Sequence, residues 1–118
     1  VKSFNTYLSE DSINLVGKDF DLITANHVVE HVDNPIDFLK LLKGFVKKNG
    51  LICIEMPSSL DIGFLDKEHD RFMSQHEVIY DNKSIKFIAK EAGLRVIYNH
   101  NYLSKRGRNN VRAVLTPC

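Results

Sequence analysis

No run of apolar residues in this 118-residue sequence is long enough to cross a bilayer, and no signal-peptide pattern opens it; a membrane-spanning or secreted chain is therefore not expected. Neither sign of charge is in excess. Sixteen Lys and Arg stand against 15 Asp and Glu, a formal +1, so overall charge offers no footprint for nucleic acid or a membrane surface. Cysteine is scarce as well. Cys53 sits inside an apolar run and Cys118 is the last residue. Two such residues make no disulfide framework, and both are expected as free thiols in a reducing cytoplasm. Internal repeats and low-complexity tracts are also missing. The length predicts one domain, and 43% hydrophobic residues suffice for a core. Val1 stands where an initiator methionine would, which predicts a piece of a longer chain.

The most informative stretch runs from Asp19 to Pro35. Phe20 to Ala25 is a short apolar run with little alternation, the pattern of a parallel strand covered on both faces. Polarity then arrives abruptly at Asn26-His27. In open parallel sheets, ligands bind just beyond the carboxyl ends of strands, so Asn26 to His31 is the first candidate for a binding rim. Asn34-Pro35 opens a helix, with Asn34 as its cap and Pro35 at the first helical position. Phe38, Leu41, Leu42 and Phe45 repeat at helical spacing, which predicts a helix over 35–48 ended by Asn49-Gly50. Leu51 to Met56 reads as a second buried strand closed by Pro57. Strand, helix and strand with short links form a βαβ unit.

The remaining elements follow in order. Val1 to Leu8 has the β-branched and aromatic content of a strand. Ser9 caps a short helix that runs to Val16 and stops at Gly17. Ser58 to Tyr80 lacks clean periodicity; a loop that long inside a compact domain is usually functional. Asp81 caps a helix to Ala92, with Ile85, Ile88, Ala89 and Ala92 on its apolar face. Leu94–Leu103 and Val111–Thr116 read as a closing hairpin whose last strand runs antiparallel to its neighbours.

Phe20-Asp21-Leu22-Ile23, then Glu30-His31-Val32-Asp33-Asn34-Pro35, a helix, and Lys48-Asn49-Gly50 leading into Leu51–Pro57, together resemble the second half of a Rossmann-like S-adenosylmethionine-dependent methyltransferase. The likeness continues through the late helix with its Glu91-Ala92-Gly93-Leu94 exit and covers nearly the whole chain. It implies an α/β fold: the C-terminal portion of that sheet, with parallel strands, flanking helices and an antiparallel last strand. It further implies S-adenosylmethionine as cofactor and a small-molecule methyl acceptor. Gln75-His76-Glu77 with Tyr80 is similar to a His-Glu segment of the sugar C-methyltransferase branch, although Val78 stands where that branch has a second histidine. That points to a sugar or nucleotide-sugar acceptor. The family's glycine-rich loop and the acidic residue ending its second strand, which hold the methionine part and the ribose hydroxyls, have no counterpart in these residues.

Carried onto this sequence, the resemblance places Asn26, His27 and Val28 at the cofactor and Glu55 and Tyr80 at the acceptor. His31, His76 and Glu77 are the candidate bases, since an imidazole oriented by a carboxylate can accept a proton near neutral pH. Against this stand plainer roles: His31 packing and capping locally, Glu55 as a solvated strand-end acid, and His76-Glu77 as polar loop. His27-Val28-Val29-Glu30-His31 also matches the His-x-x-Glu-His pattern of a zinc hydrolase, with both histidines as ligands. That motif needs a long helix, which the flanking strand and Asn34-Pro35 oppose, and no metal is expected. Lys105, Arg106, Arg108 and Arg112 form a basic group that could hold a nucleotide-sugar phosphate or simply be a solvated hairpin tip. If the early strands are missing, an exposed sheet edge invites a homodimer, and the alternative to an enzyme is then an inactive scaffold or dimerisation module.

Overall fold

The computed structural model describes residues 3–58 and 80–118. Among these residues, four strands make one mixed sheet. β1 (Phe20–Asn26) pairs parallel with β2 (Val46–Pro57). The last strand, β4 (Asn109–Pro117), lies antiparallel between β2 and β3 (Leu94–Leu103), giving the order β1-β2-β4-β3. The carboxyl ends of β1, β2 and β3 therefore share one end of the sheet, as does the 104–108 turn into β4.

Strand alternation decides which face is covered. Ile52, Ile54 and Met56 of β2 and Val111, Ala113 and Leu115 of β4 are fully buried. Against them lie α2 (Pro35–Phe45), through Leu39 and Leu42, and α3 (Asn82–Glu91), through Ile85, Ile88 and Ala89. Burying an aliphatic side chain of this size contributes about 1.5–3 kcal/mol, so this layer is the main source of stability. The other face leaves Leu22, Leu51 and Tyr98 partly open, Leu22 at 56% exposure.

The helices start where the capping residues predict. Asn34 Oδ1 accepts from the Asp37 N–H at 3.1 Å, with Pro35 first in α2. Asp81 Oδ1 accepts from the Ser84 N–H at 2.7 Å while Ser84 Oγ accepts from the Asp81 N–H at 3.0 Å, a reciprocal cap on α3. Ser9 likewise opens a 3₁₀ turn (Glu10–Ser12) that runs into α1 (Ile13–Val16) and stops at Gly17, φ 88°. The closing hairpin forms as expected, and Cys53 and Cys118 are free.

Four expectations are corrected. Residues 3–8 form no strand, for they are exposed and find no sheet partner. β1 is not covered on both faces: it is an edge strand in which only Ala25 is buried. α2 ends at Phe45 rather than Lys48, because Val46 is already extended and pairs with Phe20. Lys47 accordingly lies in β2 and donates from Nζ to Asp21 Oδ1 at 2.7 Å. Finally, Asn49 and Gly50 stand inside β2, which is longer than the predicted 51–56.

Gly50 is there because two backbones approach closely. A Cβ at that position would stand 2.9 Å from the Phe20 carbonyl oxygen and 3.1 Å from that of Asp21. A Cβ on Gly44, in the last turn of α2, would meet nothing within 4 Å. Gly50→Ala is therefore expected to lower stability by about 1–3 kcal/mol through overpacking. Gly44→Ala should raise it by about 0.5–1 kcal/mol through the helix preference alone. Urea unfolding midpoints of the two variants check this pair of opposite signs.

Candidate functional site

The polar residues at the carboxyl end of the sheet are aligned by strand register. Asn26 of β1 pairs with Glu55 of β2, Glu55 with Arg112 of β4, and Arg112 with His100 of β3. Beyond Asn26 the chain turns sharply. His27 takes a left-handed backbone, φ 54°, which few non-glycine residues adopt outside turns and functional sites. Its N–H still donates to the Glu55 carbonyl at 2.7 Å, so the turn is tied to β2. A 3₁₀ turn, Val29–His31, follows and buries Val29 and Glu30.

Burial makes Glu30 the anchor of the turn. At 1% side-chain exposure, its Oε1 lies 3.5 Å from His27 Nδ1 and 3.6 Å from His31 Nε2, while both imidazoles remain about half exposed. Tyr80 is buried nearby. Its phenol is pushed above the ordinary tyrosine range, by burial first and by the Glu30 charge second. Ser58, in a parallel bridge with Tyr80, donates from Oγ to Asn101 Oδ1 at 2.9 Å, and Asn101 Nδ2 donates to Asn82 Oδ1 at 3.1 Å. This joins the rim to the start of α3.

Glu55 is held from the sheet side. Arg112 donates to Oε2 from Nε at 2.9 Å and from Nη2 at 2.8 Å, Tyr102 Oη donates to Oε1, and the guanidinium lies 5.1 Å from the Tyr102 ring centre. His27 Nε2 stands 3.7 Å from the same Oε1. Partial burial alone would raise the Glu55 carboxyl, but the hydrogen bonds from Tyr102 and Arg112 and the Arg112 charge outweigh it, and the net shift is downward. Arg112 is shifted up in return, chiefly by its hydrogen bond to Glu55. The rim thus joins two carboxylates in different settings to an imidazole between them. Such an arrangement can hold a cation, orient a hydroxyl and move a proton.

The structure brings Asn26, His27, Val28, Glu30, His31, Glu55 and Tyr80 to one end of the sheet. His76 and Glu77 lie outside the described residues. Arg112 is not part of the hairpin tip with Lys105 and Arg106: it faces Glu55 from within β4. Sequence reading missed that, and missed Tyr102 altogether, yet a signal existed. A hairpin turning at 104–108 pairs Tyr102 with Asn110, and strand alternation then puts Arg112 on the same face. The helix that the zinc pattern needs is not formed, since His27 is left-handed and only Val29–His31 is helical. Among the described residues no group of three or more His, Cys, Asp or Glu is arranged to hold a metal, and no helix is long and apolar enough to cross a membrane.

Comparison with known proteins agrees on the fold. A family model described as a methyltransferase domain matches residues 5–99. An S-adenosylmethionine-dependent methyltransferase from Clostridium acetobutylicum superposes with a TM-score of 0.64 at 12% identity, over 85% of this chain and 59% of that one. The magnesium protoporphyrin IX methyltransferase of Synechocystis, solved with bound SAH, gives 0.64 at 13% identity, over 86% of this chain and 47% of that one. A structure described as a pericyclic reaction enzyme gives 0.65 at 12% identity, over 86% and 27%. The chain therefore spans little more than half, or less, of the length of these neighbours, and at such identities the likeness is one of fold: a Rossmann-like α/β sheet. No curated protein sequence matches it.

Removing the Arg112 guanidinium tests the electrostatics. In Arg112→Met, burial acts on Glu55 with less opposition, so its carboxyl should titrate at higher pH than in the wild type, as read by carboxyl-carbon NMR. The stability consequence has a definite sign. A depressed Glu55 contributes stability that is present above the ordinary glutamate range and lost as pH falls through the lower folded value. Arg112→Met should shrink that part of the acid-unfolding curve.

Proposed function

The chain belongs to the methyltransferase-domain family, and on that premise we propose that it forms the acceptor-facing part of an enzyme that methylates a small molecule with S-adenosylmethionine. The observation that carries this reading is the rim itself: Asn26 to His31 leave an edge strand beside Glu55, at the carboxyl ends of two parallel strands, where α/β sheets take their ligands.

S-adenosylmethionine supplies a methyl group on a cationic sulfonium. The donor set fits one side of such a group, because Glu55 gives the rim a carboxylate, with Glu30 buried beneath it, and Asn26 a neutral polar group. In this reading Asn26, the His27 backbone and Val28, which is 37% exposed, border the cofactor. The glycine-rich loop that the resemblance assigns to the methionine part is not among the 118 residues, so we propose that residues outside them complete the site. Glu55 orients the acceptor, and Tyr80, buried behind Glu30, supports the wall it rests on. His31, His76 and Glu77 stand as candidate proton acceptors. In-line methyl transfer asks mainly for alignment, which the protein supplies by fixing both partners before reaction. An acceptor bearing phosphate, such as a nucleotide-sugar, is favoured by Lys105 and Arg106, which are exposed on the turn at the same end of the sheet.

Calorimetry with S-adenosylmethionine tests the reading. The 118-residue chain is expected to give no measurable heat, and a chain extended by a glycine-rich strand-loop-helix to bind one equivalent. Absence of binding by the extended chain would overturn the proposal.

A second reading rests on β1. Among the described residues it is an edge strand, and its own Phe20 and Leu22 are exposed; open apolar edges pair with other strands. We propose that the isolated chain dimerises there, whether or not it is active. Sedimentation should show a concentration-dependent dimer that Leu22→Glu converts to monomer without loss of fold. A wild type that stays monomeric at high concentration would exclude it.

A further inference from the structure

The pattern His27-Val28-Val29-Glu30-His31, which forms no long helix, places its first histidine between two carboxylates. Nδ1 of His27 faces Glu30 Oε1 at 3.5 Å, and Nε2 faces Glu55 Oε1 at 3.7 Å. No other described histidine is placed this way. His31 meets Glu30 through Nε2 alone, and His100 stacks with Tyr98.

We infer that His27 is the general base of this site, with Glu30 as the positioning residue, whose carboxylate faces Nδ1 at 3.5 Å and favours the proton there, leaving Nε2 open to the acceptor. The inference rests on the methyl-transfer reading and deepens it, because His31, His76 and Glu77 were the bases expected from the sequence. Three features carry it. The left-handed backbone at His27, tied to Glu55 through its N–H, turns the residue out of the strand toward the rim. Glu30 is nearly fully buried, so its position is set by packing rather than by solvent. And Nε2, 3.7 Å from Glu55 Oε1, is too far away for a direct hydrogen bond, so its lone pair is open to accept from an acceptor hydroxyl.

Glu55 is engaged from the sheet side by Arg112 and Tyr102, which donate to its two oxygens. Among the described residues, the groups facing His27 are thus Glu30 and Glu55. Behind them stand His31 and Tyr80 on one side and Arg112 and Tyr102 on the other. In the step proposed, the acceptor O–H bond breaks and its proton bonds to Nε2. The electron pair left on oxygen forms the bond to the methyl carbon supplied by the sulfonium donor, sulfur keeps the carbon–sulfur pair, and the imidazolium loses its proton to water.

The tautomer of His27 tests this without donor or acceptor. Ring-nitrogen NMR of the histidine-labelled chain, with His27→Gln used for assignment, is expected to show neutral His27 with the proton on Nδ1. Glu30→Met should shift the population to Nε2–H, whereas His31→Gln should leave it unchanged. A wild-type His27 protonated on Nε2 overturns the inference even if Glu30→Met fails to fold, and so does a folded Glu30→Met with an unaltered tautomer. Binding of S-adenosylmethionine by the extended chain together with an Nε2–H tautomer defeats this inference alone. An Nδ1–H tautomer without such binding defeats the methyl-transfer reading and, with it, the role as base.

Discussion

The parallel ladder between β1 and β2 carries the rim. It runs from Leu22 beside Leu51 to Asn26 beside Glu55, and it closes with the N–H of His27 on the Glu55 carbonyl. A slip of one residue in that pairing would turn every β1 side chain to the other face. Asn26 would then leave Glu55, and Ala25 would leave the core. Gly50 lets the two backbones meet at the far end of the ladder, and Thr116 secures it from β4 by donating to the Gly50 carbonyl at 2.9 Å. Register at one end of the sheet is thus protected by packing at the other.

From this ladder the two carboxylates acquire different characters. Glu30 is enclosed by the 3₁₀ turn and approached by two imidazoles. Glu55 sits on the sheet among Arg112, Tyr102 and His27, and its acidity is increased. Neighbouring titratable groups whose surroundings differ are how one site separates its acid and base roles. The edge position of β1 has the opposite character. It leaves Phe20 and Leu22 partly exposed on the strand that carries the rim.

Much of this architecture was legible because it depends on local chemistry. Asn34-Pro35 and Asp81 with Ser84 declare helix starts through their own hydrogen bonds, and the Ile85, Ile88, Ala89 stripe declares the buried side. The abrupt change from Ala25 to Asn26 marked the strand exit. What was not legible depends on partners distant in sequence. Val46 extends the apolar stripe of α2 and reads as helical, but pairing with Phe20 decides its conformation. Phe20 to Ala25 reads as a strand covered on both faces, because composition carries no information on which neighbours are present. Arg112 looked like one of a group of basic residues until the hairpin register set it opposite Glu55. The left-handed turn at His27 has no glycine to announce it.

The placement of β4 also has a consequence for how the chain is assembled. Its nine residues come last among the described elements, yet they fill the slot between β2 and β3. While synthesis proceeds from the amino end, β3 emerges with no strand to pair with and one flank of β2 stays bare. The α3–β3 unit is joined to the sheet by backbone pairing only when residues 109–117 arrive. Vectorial synthesis therefore leaves β2 and β3 each with an unsatisfied ladder until residues 109–117 have emerged.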